Sequence, residues 1–178
     1  MSLTRREALR DLSALFAISF VRWPERLADP LAGTIVEYQA GRARGDWTAV
    51  QVTKQALDRA TAWNGRLHAI DALSATALDD ARASDARAQR GALYGPLDGV
   101  PLFAKAIYDM SGLPTTASSA EWARLFPGLM HRDALEITRM RAAGAVILGK
   151  TAADDFAYHG NGTSTLTGQV RNPYDPAG

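Results

Sequence analysis

From Thr34 onward, helix-period segments alternate with short apolar runs, and that alternation constrains the fold more than any single motif. Thr48 followed by Gln51 has the form of a capping box, and Ala49, Val52, Ala56, Ala60 and Trp63 recur at helical spacing until Asn64-Gly65, so a helix is expected between them. Leu67 to Ala72 is short and apolar enough for a strand. Ser74 can cap a second helix through Ala75, Leu78, Ala81 and Ala88 to Gly91, which leaves the charged stretch Asp79 to Arg90 as a solvated face. Val100 to Ile107 reads as a buried strand behind a Pro/Gly turn. Asp133 with Glu136 opens a further helix that ends at Gly144, Ala145 to Leu148 is another buried strand, and Thr151 can cap a short helix through Phe156. Gly160 to Gly168 reads as an irregular loop. The expected class is α/β, a mixed, mainly parallel sheet flanked by helices.

The strand from Val100 to Ile107 carries Lys105 among residues that are otherwise apolar on both faces. A lysine removed from water favours its neutral amine, because desolvation penalises the charged form, and a neutral amine can take a proton. Lys105 is therefore a candidate base; the alternative is a strand-end lysine whose ammonium reaches water.

Other signals narrow the choice. With 20 basic and 19 acidic side chains the net charge is +1, so no whole-chain field would draw in nucleic acid or an anionic membrane, and a small-molecule substrate is the default. The absence of cysteine excludes disulfides, zinc thiolates and a cysteine nucleophile. His68, His131 and His159 lack metal-ligand spacing. Gly144 to Thr151 satisfies the written pattern of a phosphate-binding loop, but its intervening Ala-Val-Ile-Leu belongs in a strand, where the amides are committed, and Lys150 is read as structural. Gly160-x-Gly162 lacks the rest of a dinucleotide fingerprint, and Asn161-Gly162-Thr163 matches a glycosylation acceptor only by coincidence.

The ordered blocks Gly95-Pro96-Leu97-Asp98-Gly99-Val100-Pro101, Lys105, Ser111 to Thr116, Arg141 to Thr151, Asp155-Phe156-Ala157 and Arg171-Asn172-Pro173-Tyr174-Asp175-Pro176 resemble the amidase signature family from about Ile35 to the end of the sequence. The resemblance implies a carbon–nitrogen hydrolase that acts on a small-molecule amide, without a cofactor, through a nucleophilic serine, a bridging serine held by a cis peptide, and a lysine at the position of Lys105. Where many members carry Lys-Asp, this sequence has Lys105-Ala106, with Asp109 nearby. The family's Gly-Gly-Ser-Ser-Gly-Gly segment follows shortly after the Asn-Pro-Tyr-Asp block, and the sequence ends at Gly178, ahead of it. Residues 34–178 are thus expected to form the N-terminal part of an amidase domain. Alone, they are expected to be inactive and, with the sheet incomplete, to self-associate. Two other readings stay open: a noncatalytic binding fragment, and the amidotransferase component that serves tRNA-dependent amidation.

Residues 1–33 are read apart. Thr4-Arg5-Arg6-Glu7-Ala8-Leu9-Arg10 resembles a twin-arginine export signal, and Leu12 to Val21 follows as an apolar run too short to span a bilayer as a helix. Export to the periplasm is expected; an N-terminal helix of a cytoplasmic protein is the alternative.

Overall fold

The computed structural model describes residues 27–175, so Arg5-Arg6 and the Leu12 to Val21 run lie outside the described residues. Helix α1 (Ile35–Arg44) opens on a Thr34–Glu37 capping box and closes at Gly45. Helix α2 (Ala49–Leu67) opens on the expected Thr48–Gln51 box. It continues past Asn64-Gly65, because the Asn64 side chain accepts from the Ile70 amide at 2.7 Å and donates to the Ile70 carbonyl at 3.0 Å instead of competing with its own helix. The helix ends at His68, whose φ of 51° is left-handed.

Helix α3 (Ala77–Gln89) starts later than expected. Thr76 occupies the cap position without a side-chain bond, and the Ser74 hydroxyl accepts from the Thr76 amide at 3.3 Å. Ala77 and Ala81 pack against Ala49 and Ala56 of α2, and these small side chains bring the two helices close over the sheet. The charged stretch on α3 is not uniformly solvated. Asp79 and Arg82 are exposed and pair with each other, but the Asp85 carboxylate accepts the Ala49 and Val50 amides at 2.8 and 3.0 Å, satisfying donors that the first turn of α2 leaves free.

The sheet comprises β1 (Ile70–Leu73), β2 (Pro101–Lys105) and β3 (Val146–Thr151) in the order β1-β3-β2. β2 runs parallel to β3 and β1 antiparallel to it, which makes the sheet mixed as expected. One face, with Phe103, Val146 and Leu148, lies under α2 and α3. On the other, Ala104 and Ile147 meet Met110 and Ile137 of α5 (Leu135–Ala142). A third cluster joins Tyr38, Trp47, Val52 and Val100 with Leu27 and Leu31, so packing already includes residues ahead of Thr34. α5 begins after Ala134, not at Asp133, because the Asp133 carboxylate is taken by the Ser111 amide and the Arg141 guanidinium. Helix α4 (Ala120–Leu125) is capped by the Ser119 hydroxyl.

β3 extends through Lys150 to Thr151 with a neighbour on each side, so its amides serve the sheet and the phosphate-loop pattern has no structural counterpart. Thr151 is the last strand residue rather than a cap; the 3-10 turn Asp155–Ala157 follows Asp154. The expected loop after Gly160 holds two short strands, β4 (Thr163–Ser164) and β5 (Gly168–Gln169), paired antiparallel.

β3 is bulged. Leu102 pairs with Ile147 but Phe103 pairs with Gly149, and the extra residue brings Lys150 into register with Ala104. Gly149 has φ 151°, and a Cβ on it would stand 2.8 Å from Leu73 Cα while overlapping the Ala72 carbonyl. Gly149→Ala is expected to destabilise the protein by roughly 2–4 kcal/mol through backbone strain and overlap with β1. A urea midpoint equal to that of the native protein would show that β1 gives way at no cost.

Candidate active site

Lys105 is the last residue of β2, in register with Thr151 at the end of β3. The chain turns immediately after each strand: the Tyr108 amide donates to the Lys105 carbonyl and the Ala106 amide to the Thr151 carbonyl. Lys105 therefore stands at the carboxyl ends of a parallel strand pair, where open α/β sheets receive ligands. It is half-buried, and its Nζ makes no hydrogen bond or ion pair with any described residue. The Asp154 carboxyl is held below the ordinary carboxylate range: burial opposes its ionisation, but the Gly160 and His159 amides and the Lys105 charge outweigh that.

The lysine with no exposed surface is Lys150. Its Nζ donates to the Pro114 carbonyl at 2.6 Å and to Thr115 Oγ1 at 3.0 Å. Burial pulls its pKa below the ordinary lysine value, and the charges of Asp71 and Asp109 oppose that pull.

Lys150 thereby fixes one end of a loop that lies at the same end of the sheet as Lys105. Thr116 Oγ1 donates to Asp71 Oδ2 of β1 at 2.6 Å and accepts the Ser118 amide at 3.0 Å. Ser118, wholly buried, accepts the Ala153 amide on its hydroxyl at 2.9 Å, and its carbonyl accepts the Ser164 hydroxyl at 2.6 Å. Two consecutive residues here, Ala117 and Ser118, have left-handed φ of 49° and 57°, and so do Phe156 and Ala157 at 56° and 57°. The two turns are joined by the Phe156 amide donating to the Ala117 carbonyl at 2.9 Å. Non-glycine residues hold such conformations only where their surroundings over-determine them, at about 1–3 kcal/mol each, and such strain gathers at functional sites. Asp155 ties the second turn to the β4–β5 segment by accepting the Thr165 amide and hydroxyl at 2.8 and 2.7 Å.

Asp98 lies behind the site, in the turn that delivers β2. It is wholly buried and accepts from the Ser84 hydroxyl, from Arg87 Nε at 2.8 Å and Nη2 at 3.0 Å, and from the Tyr94 amide at 2.8 Å. Arg42 Nη1 donates to its carbonyl at 2.6 Å. Burial alone would raise the Asp98 carboxyl, yet Arg87, Ser84 and the Tyr94 amide hold it below the ordinary value. Gly144, at φ 88°, packs so closely that a Cβ there would lie 2.7 Å from Asp98 Cβ.

Sequence reasoning picked out Lys105 and the blocks Ser111 to Thr116 and Asp155 to Ala157, and the structure brings these together at one end of the sheet. It did not single out Asp71, Ser118, Asp154 or Ser164; the run Thr115-Thr116-Ala117-Ser118-Ser119, dense in short hydroxyl side chains, was the available signal. Among the described residues, no three His, Cys, Asp or Glu side chains gather as a metal site. His68 terminates α2, and the His159 amide serves Asp154. An apolar hollow of about 430 Å³, lined by Leu31, Trp63, Leu67, Ile70 and Phe103 among others, does not include Lys105. No helix among the described residues is long and apolar enough to cross a membrane.

The model of the Amidase family matches residues 51–177. The A-type component of glutamyl-tRNA(Gln) amidotransferase from Salinispora arenicola is 42% identical over 134 residues, 75% of this chain and 27% of that protein. Its counterpart from Thermobifida fusca is 40% identical over 141 residues, 78% of this chain and 28% of its own length. Native peptide amidase from Stenotrophomonas maltophilia superposes with a TM-score of 0.73 at 32% identity, over 85% of this chain and 31% of that one. Fatty acid amide hydrolase superposes with a TM-score of 0.73 at 20% identity over 98% of this chain and 31% of its own, a likeness of fold alone. The chain thus spans less than a third of the length of these relatives.

Proposed function

Because the chain belongs to the Amidase family, we propose that it is the N-terminal part of an enzyme that cleaves a carboxamide C–N bond, with Lys105 as the base of a Ser-cisSer-Lys triad. The carrying observation is the amine at the carboxyl end of β2, unpaired among the described residues and so free to face a serine. An amide needs an activated hydroxyl, a proton route to the leaving nitrogen and donors for the oxyanion. Lys105, as the base, takes a proton from the bridging serine as that serine takes one from the nucleophile. The nucleophile's oxygen bonds the acyl carbon, the C–N bond breaks, and the proton passes back to the departing nitrogen. Water then releases the acid by the same relay. The family's Gly-Gly-Ser-Ser-Gly-Gly segment is not in this sequence, and both serines are assigned to the full-length protein. Domain limits follow the same reading, with residues 34–178 in the amidase domain and the address in 1–33, whose last part, through Leu27 and Leu31, also packs against the domain's core.

The test is release of ammonia or amine from simple carboxamides and anilides by the full-length protein, free of tRNA and partner proteins. Turnover supports a self-sufficient amidase acting on a small-molecule amide. No turnover alone, with glutamine hydrolysis on adding the other amidotransferase components, favours the second reading, which rests on identities of 40–42% to the A-type components of glutamyl-tRNA(Gln) amidotransferases.

Arg5-Arg6 and the apolar run that follows favour the first reading, since a tRNA-dependent amidotransferase works in the cytoplasm. Fused to a reporter in a bacterium, residues 1–33 are expected to direct twin-arginine-dependent export, and lysines in place of Arg5 and Arg6 to block it. A reporter that stays in the cytoplasm with the native pair overturns the export reading.

A further inference from the structure

We propose that Lys150 is a positioning residue for the Lys105 site: with Thr115, Thr116 and Asp71 it holds the left-handed Ala117–Ser118 turn, and through it the segment after β3, in one arrangement beside Lys105. The proposal deepens the amidase reading and rests on it. A fully buried amine in the middle of a sheet is an expensive occupant of a position that methionine or leucine would fill without desolvating a charge. What the amine adds is direction. It has two fixed acceptors, the Pro114 carbonyl and the Thr115 hydroxyl, at 2.6 and 3.0 Å.

The bulge at Gly149 makes this possible, because the inserted residue brings Lys150 into register with Ala104, next to the residue that precedes the turn after Lys105. Thr115 passes this constraint to Thr116 through the chain itself, and its hydroxyl also donates to the Tyr108 carbonyl at 3.5 Å. Thr116 donates to Asp71 and accepts the Ser118 amide; Ser118 accepts the Ala153 amide and the Ser164 hydroxyl. Ala117 accepts the Phe156 amide. Two strained turns that meet back to back would each relax to ordinary conformations if released. The network that Lys150 anchors from β3, and Asp71 from β1, opposes that relaxation. Nearby Asp71 Oδ1 is buried without a hydrogen-bond partner, so Asp71 anchors the loop through the single bond from Thr116. A positioning role of this kind governs the chemical step more than substrate binding, because small errors in the placement of reacting groups slow catalysis steeply.

The test uses the full-length enzyme and a chromogenic anilide, with turnover counted per active site labelled by a fluorophosphonate. Lys150→Met is expected to lower kcat at least about 10-fold while KM stays within about 3-fold. Thr116→Val, which cuts the network at its middle with a far smaller change in burial, is expected to act in the same direction, and Thr116→Ser, which restores the hydroxyl, to recover most of the native rate. If Lys150→Met does not fold, the Thr116 pair carries the result. A native kcat per labelled site in folded Lys150→Met or in Thr116→Val overturns the proposal, and so does a Thr116→Ser enzyme as slow as Thr116→Val. Lys105→Ala measured alongside separates the two ideas: native turnover there sinks the base assignment, whereas a slow Lys105→Ala enzyme with a native-like Lys150→Met enzyme sinks the positioning role alone.

Discussion

Replacing Lys105 with alanine in the full-length enzyme is expected to lower kcat/KM at least about 10²-fold, the usual effect of removing a general base. The loss should fall on the chemical step, since Nζ has no structural bond among the described residues whose removal would disturb the fold. Lys105→Arg is expected to fail as well, because guanidinium remains charged at any working pH and cannot accept the proton. Thermal unfolding should be close to that of the native protein for both variants, which separates chemistry from folding. Native-like turnover by Lys105→Ala would end the assignment, and by the same stroke the triad reading built on it.

Replacing Asp98 with alanine is expected to destabilise the protein by about 3–5 kcal/mol, because it strands buried positive charge instead of removing a pair. Arg42 and Arg87 have side chains only 6% and 12% exposed, and the Arg42 Nε already lacks a partner. Asp98→Asn keeps the shape and one acceptor oxygen, so a smaller loss is expected. The sign of the pH dependence follows from the lowered carboxyl. A depressed folded-state pKa contributes stability that is present above the unfolded-state value near ~4 and is lost as pH falls through the folded-state value. Urea midpoints measured from pH 7 down to pH 2 should therefore fall on the acid side for the native protein and fall less for Asp98→Ala. An alanine variant within about 1 kcal/mol of native at pH 7 would show that the two arginines find water or other partners.

These two sites differ in how far local sequence reveals them. Lys105 is legible because a charge interrupts an apolar run, but the expected strand runs on to Ile107. Only the structure ends β2 at Lys105, where the chain turns back on its carbonyl and leaves Ile107 exposed. The capping boxes at Thr34 and Thr48 and the burial of the Val146 to Leu148 run are legible for the same reason: donor, acceptor and hydrophobic spacing are all within a few residues. Asp98 was visible only as one letter of a turn. Its role depends on Arg42, Ser84 and Arg87, which reach it from two other helices.

Where local readings failed, a distant partner had claimed the residue. Asp133 looked like a cap but is taken by Ser111 and Arg141; Asp85 looked solvated but caps a helix far from it in sequence; Asn64-Gly65 looked like a stop but Asn64 bonds to Ile70. The sequence by itself determined the α/β class, the capped helices, the apolar strands and the family to which this chain belongs, since each rests on short-range periodicity or on ordered blocks. The tertiary structure alone decided which lysine is sealed from water. The β3 bulge at Gly149 and the loop folded back over it enclose Lys150, while Lys105, at a strand end with the chain turning away, keeps its amine free; burial is set by what packs across a residue, and neighbours in sequence do not specify that.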